Sequence, residues 1–139
     1  MADGLHPVVV GSPVRRHQPL NGEELLLVYR HEHIFHGWRG KTSWQGSRKE
    51  NSVWQEDRPQ ASPQHPTMKP VALCVRAIEN SSAVGDVVAE PFLGSGTTLI
   101  AAERTGRRCY AMEIDPRYCR VAIARWQAFT GGKAEKVEA

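Results

Sequence analysis

DVVAEPFLGSGTTLIAAERTGRRCYAMEID, residues 86–115, reads in order as a strand, a glycine loop, a helix, a second strand and an acid. Val87, Val88 and Ala89 form a short apolar run led by β-branched residues, the pattern of a buried parallel strand. Pro91 cannot donate to a sheet ladder, so the strand is expected to end beside it. Gly94, Ser95 and Gly96 can turn sharply and let a ligand come close to the backbone. Residues 97–104 are good helix formers, and Gly106 stands where a C-terminal glycine belongs. Residues 108–112 read as the second strand, closed by Glu113.

A right-handed β-α-β crossover brings such a loop and such an acid together at the carboxyl ends of adjacent strands. The helix N-terminus then offers unpaired N–H groups, and Glu113 can accept from two ribose hydroxyls. Gly94 and Glu113 stand 19 positions apart, close to the spacing of about 20 that this geometry asks for. Three ligand classes compete for the loop. A phosphate-binding loop needs Gly-Lys-Ser/Thr, and no lysine lies between Gly94 and Glu113. A nicotinamide fingerprint needs a third glycine where Leu99 stands. A loop of this kind suits an adenosine ligand without a pyrophosphate, and S-adenosyl-L-methionine is one. An isolated GSG would more often be a plain tight turn; the flanking strand and acid weigh against that here.

The segment AEPFLGSGTTLIAAERTGRR (residues 89–108), followed by EIDPRYC (113–119), resembles the cofactor motif of the DNA amino-methyltransferases, which methylate adenine N6 or cytosine N4. HPTMKP (65–70) is similar to the HPTxKP segment that precedes the cofactor strand in the β-type motif order. The resemblance spans roughly residues 31–131 and is absent from the start of the chain. It implies an α/β fold: a partial Rossmann-like, mostly parallel sheet flanked by helices, the S-adenosylmethionine-dependent methyltransferase fold. It implies S-adenosyl-L-methionine as cofactor and double-stranded DNA as partner. Carried over residue by residue, Thr67 and Lys69 lie beside the methionine portion, and Glu113 holds the ribose. Glu90, Pro91, Phe92, Gly94, Ser95, Gly96, Thr97 and Thr98 complete the cofactor pocket. Glu90 stands where the family usually has aspartate, which keeps the charge on a longer reach.

The family's second motif, an acidic or polar residue followed by Pro-Pro and an aromatic, grips the target amino group and stacks on the flipped base. Alignment of that weakly nucleophilic amine with the methyl group is most of the catalysis. The chain contains no Pro-Pro pair, so no catalytic residue is assigned within it. The resemblance therefore implies a carboxyl-terminal portion carrying the cofactor half of the site. A second chain would supply the missing motif, and a homodimer or a docked partner would cover the sheet edge that the missing strand leaves exposed. The alternative is a non-catalytic module that binds cofactor or DNA.

The remainder of the chain is read around this core. At 139 residues with a net charge of +3, it is one domain in size and permits a nucleic-acid partner without demanding one. Cys74, Cys109 and Cys119 lack metal-ligand spacing, and the first two fall in apolar segments as free thiols. No apolar run approaches a membrane span and no signal peptide is evident, which implies no membrane partner and a reducing cytoplasm.

Residues 1–22 are expected to be a poorly ordered lead, with Val8–Val10 the one candidate strand. The methyltransferase domain is expected over residues 23–132, with strands and a DNA-facing loop in 23–64 and the cofactor core in 65–132, before a frayed tail at 133–139. Residues 25–29 suit a strand or a helix end, and His33–Phe35 suits a strand closed by Gly37. Alternation puts His31 and His33 on one face and His36 on the other, which disfavours a three-histidine metal site. In the loop, Arg39, Lys41, Trp44, Arg48 and Lys49, with Trp54 beyond them, interleave cations and aromatics as a DNA-facing surface does; tryptophans that anchor a long loop are the structural alternative. Thr67 is expected to cap a helix begun by Pro70, whose apolar face is Val71, Cys74, Val75 and Ile78. Asp115 and Pro116 are expected to open a last helix burying Tyr118, Ala122, Trp126 and Phe129, with Gly131 ending it.

Overall fold

The computed structural model describes residues 6–11, 31–37, 44–56 and 68–137. The chain divides into two compact units, Met1–Thr42 with Arg48–Arg58, and Ser43–Ser47 with Pro59–Ala139.

The first unit is a three-stranded sheet in the order β2-β1-β3, built from β1 (His6–Gly11), β2 (His31–His36) and β3 (Val53–Gln55). The central strand β1 pairs antiparallel with β2, from His6 opposite His36 to Gly11 opposite His31, and parallel with β3, from Val9 opposite Val53. The start of the chain is thus not wholly a loose lead. Its valine run has β propensity, and neighbours on both sides supply the ladder partners that the local sequence cannot reveal. Residues 12–22 and 25–29 lie outside the described residues. In β3, Trp54 is buried, and its indole N–H donates to the Asn51 carbonyl at 2.9 Å. That tryptophan anchors its loop and offers no face for base stacking.

The second unit carries residues 86–115. Helix α1 (Val71–Ser81) begins directly after Pro70, which is its N-cap and makes no side-chain cap bond. Proline therefore stands one position before the first helical turn, and Thr67, the expected cap, lies outside the described residues. Strand β4 (Val87–Glu90), helix α2 (Thr97–Arg104) and strand β5 (Arg108–Ala111) form the β-α-β unit, with β4 and β5 parallel and Glu90 opposite Ala111. The ladder continues past the strands through Met112 N–H to Glu90 O and Leu93 N–H to Met112 O, both 2.9 Å. Helix α2 ends in a Schellman motif, with Arg107 N–H donating to Ala102 O and Gly106 N–H to Glu103 O. Arg107 also ties this turn to the end of α1 through the Ser82 carbonyl at 2.6 Å.

The core of this unit is Ile78, Ala101 and Ala102, against which Val71, Cys74, Val75, Val88 and Cys109 pack. The two alanines have no exposed surface, so the backbone of α2 comes close to its neighbours. Strand β4 is less buried than its apolar sequence suggests. Val88 faces the helices, whereas Val87 on the other face is 46% exposed.

Helix α3 (Pro116–Thr130) opens as expected, with Asp115 as N-cap accepting from Arg117 N–H at 2.8 Å and proline at the first position. Its buried stripe is narrower than the 3.6-residue pattern implies. Only Ala122 is fully buried; Phe129 is exposed, and Trp126 is half-buried with its N–H donating to Glu103 at 3.0 Å. An eight-residue α2 offers too short a surface to cover four turns of α3. Among the described residues, no helix is long and apolar enough to cross a membrane.

Candidate functional site

The site is built where β4 and β5 end. Pro91 and Phe92 turn the chain out of β4, and Gly94 (φ 54°) and Gly96 (φ 83°) take left-handed conformations that only glycine adopts at little cost. A Cβ added at Gly94 would meet nothing nearer than the Phe92 carbonyl at 4.0 Å, so the backbone there is open to a ligand. At Gly96 the opposite holds. An added Cβ would lie 2.9 Å from the Ala122 Cβ, so the loop rests directly on α3. Gly96 is also the N-cap of α2 and provides no side-chain cap, which leaves that helix end to serve an external acceptor.

Glu113, two residues past β5, reaches back to this loop. Its Oε2 accepts from Gly94 N–H at 2.7 Å and its Oε1 from Asp115 N–H at 2.9 Å. The N–H groups of Asp115 and Gly94 hold its carboxyl below the usual carboxylate range, so it is ionised at neutral pH. Each carboxylate oxygen keeps a second lone pair for a hydroxyl donor. Loop and acid, 19 positions apart in sequence, are thus joined in space.

Glu90 carries a second brace. Its Oε1 accepts from Phe92 N–H at 2.9 Å and its Oε2 from Thr98 Oγ1–H at 2.8 Å. The extra methylene relative to aspartate lets one carboxylate span the loop from its first turn to helix α2. The Cys74 thiol of α1 lies close enough to Thr98, Glu90 and Lys69 for all three to bear on its ionisation. Burial pushes the Cys74 and Cys109 thiols above their ordinary range.

Most sequence-derived site residues of this loop therefore come together: Glu90, Pro91, Phe92, Gly94, Ser95, Gly96, Thr97, Thr98 and Glu113. Phe92 is 86% exposed, whereas Ser95 and Thr97 are buried. The Ser95 hydroxyl turns away from the open side and accepts from Arg125 Nη1 at 3.0 Å, while the same nitrogen donates to the Ser95 carbonyl. Burial pulls the Arg125 guanidinium below its ordinary value. Sequence reasoning missed Arg125, and no local signal marks it. Lys69 is exposed at the foot of α1, and Thr67 lies outside the described residues.

Of the expected DNA-facing residues, Arg39 and Lys41 lie outside the described residues. Trp44 is half-buried in the second unit, with its indole N–H donating to Ser47 O at 3.3 Å. Arg48 and Lys49 are exposed on a turn of the first unit. Among the described residues, no group of three or more His, Cys, Asp or Glu is placed to hold a metal ion.

A glycine loop and an acid joined at the carboxyl ends of neighbouring parallel strands define the Rossmann-like class of adenosine-binding α/β folds. The family model of the DNA methylases of the N6/N4 type matches residues 18–124, and the chain belongs to that family. It is 42% identical over 64 residues to the type II methyltransferase M2.DpnII of Streptococcus pneumoniae, covering 46% of this chain and 24% of that protein. It is 40% identical over 73 residues to the DNA adenine methyltransferase YhdJ of Escherichia coli, covering 52% of this chain and 25% of that one. Among solved structures, TTHA0409 of Thermus thermophilus, described as a candidate DNA modification methylase and complexed with S-adenosyl-L-methionine, superposes with a TM-score of 0.63 at 28% identity. That match covers 93% of this chain and 56% of the other. The fold is the Rossmann-like fold of S-adenosylmethionine-dependent methyltransferases in part: the matches span about a quarter of the curated relatives and just over half of the solved chain.

Proposed function

We propose that this chain forms the S-adenosyl-L-methionine half of a methyltransferase site acting on adenine N6 or cytosine N4 of double-stranded DNA. The observation that carries the reading is the Gly94–Glu113 hydrogen bond, which joins an open glycine backbone to an ionised acid at the strand ends. Glu113 would accept the ribose hydroxyls on its remaining lone pairs, and the backbone from Pro91 to Gly96 would line the methionine portion. Thr67 and Lys69 would contact the methionine portion, with Thr97 and Thr98 at the start of α2. Glu90 would act by holding the loop, since both its oxygens already have partners there. When bound, the cofactor supplies an electrophilic methyl group on a sulfonium; the chain's own residues bind it and orient it.

The base-gripping half has no counterpart in these residues, because no Pro-Pro pair occurs. We propose that a second chain provides it. Arg48 and Lys49, with Arg39, Lys41 and Trp44, would meet the DNA backbone and bases.

Calorimetric titration of the chain with S-adenosylhomocysteine tests the pocket. Micromolar binding that is lost in Glu113→Ala is expected, and no binding by a folded chain refutes it. Methyl transfer to DNA by the purified chain alone would refute the divided site. Cofactor binding with no transfer under any co-expression would favour a non-catalytic module.

A further inference from the structure

Helix α3 meets the back of the glycine loop at two points within one helical turn. The first is Ala122, whose Cα lies 3.1 Å from where a Gly96 Cβ would stand. The second is Arg125, whose Nη1 donates to both the carbonyl and the hydroxyl of Ser95. Ser95 is only 5% exposed, so its carbonyl needs a donor from within the protein. Arginine keeps its charge in folded proteins, which makes these bonds charge-assisted.

The effect on the loop follows from peptide planarity. The Ser95 carbonyl and the Gly96 N–H belong to one rigid plane and point in opposite directions. Drawing the carbonyl toward α3 therefore aims Gly96 N–H at the Leu93 carbonyl, where it donates at 3.0 Å and closes the turn. Gly94, on the far side of the same turn, is clipped to Glu113. The loop is thus fixed from β5 by a carboxylate and from α3 by a guanidinium.

We infer that Arg125 is a positioning residue for cofactor binding: it sets the Ser95–Gly96 peptide so that the Gly94 backbone stays presented to the ligand. This rests on the reading of the loop as an S-adenosylmethionine site.

The test uses the full chain and the variants Arg125→Met, Arg125→Lys and Ser95→Ala, with S-adenosylhomocysteine affinity measured by calorimetry. Arg125→Met is expected to bind about tenfold more weakly, from the loss of charge-assisted bonds. Arg125→Lys falls between it and the parent, because an ammonium still donates. In the ligand-free chain, amide hydrogen exchange of residues 94–97 is expected to quicken by roughly tenfold in Arg125→Met while that of α1 stays constant. A parent that binds no S-adenosylhomocysteine refutes the cofactor reading, and the exchange comparison still decides whether Arg125 positions the loop. Affinity within about twofold of the parent together with unchanged loop exchange, whatever the melting temperature, overturns the inference. Should Arg125→Met fail to fold, Arg125→Lys is judged by the same two readouts, with Ser95→Ala, which keeps the carbonyl bond, as the milder comparison; parental values for Arg125→Lys in both readouts overturn it.

Discussion

Replacing Gly96 by alanine probes the contact on which the loop rests. Two costs add. The backbone at φ 83° is left-handed, which disfavours an L-residue by about 1–2 kcal/mol. The new methyl group would also stand 2.9 Å from the Ala122 Cβ and 3.1 Å from its Cα, and neither atom is the flexible end of a side chain. Overpacking of that kind costs a further ~1–3 kcal/mol. Gly131→Ala is the control. Gly131 has a φ of 71° and nothing within 4 Å of its added Cβ, so it carries the conformational cost alone. Urea unfolding followed by circular dichroism should therefore place Gly96→Ala about 1–3 kcal/mol below Gly131→Ala in stability. Adding Ala122→Gly removes the nearer clash and should recover part of that difference, measurable as a coupling energy. Equal destabilisation by Gly96→Ala and Gly131→Ala would refute the claim that loop and helix are in direct contact.

Further expectations concern the braces around the site. Thr98→Val removes the hydroxyl that donates to Glu90, and a fall in stability of about 1–2 kcal/mol is expected in urea; no change would mean that the bond contributes nothing. Because Glu113 titrates below the usual carboxylate range in the folded chain, its contribution is fully present above that range and is lost as the pH falls through the lowered value. The Gly94 amide resonance should therefore hold steady through mildly acidic pH, and a shift centred at an ordinary glutamate pKa would contradict the hydrogen bond. Cys74, held in thiol form by burial, should react with a disulfide reagent at least about tenfold more slowly in the folded chain than in urea. Comparable rates in the two states would show that this side chain is accessible.

The β-α-β unit was legible because its signals are local. Residues 97–104 coincide with α2, and the second strand ends at Ala111, one residue before Met112, whose N–H and carbonyl still extend the ladder to Glu90 and Leu93. Gly94 and Glu113 could be paired from spacing alone, since crossover handedness leaves one place for them. What escaped depends on distant partners. The Val8–Val10 run shows no periodicity that would distinguish a central strand from a loose lead; its order comes from β2 and β3. Trp54 sits among polar residues, where a stacking face and a loop anchor read alike; the structure buries it. Arg125 looks like one more surface cation on an amphipathic helix, and the carbonyl it serves lies 30 positions away. Phe129 fits the helical stripe but stays half exposed, because α2 spans only part of the length of α3.

The two sheets differ in how far along the chain their partners lie. In the second unit Val87 pairs with Arg108, whereas in the first Val9 waits for Val53. Closing the longer loop costs roughly 0.6 kcal/mol more in chain entropy, since it is about twice the length. During synthesis, β1 can pair with β2 as soon as His36 has emerged, but its other edge stays open until Gln55 follows. That open edge is a template for pairing with another chain. The loop-and-acid half, by contrast, closes within a single short crossover.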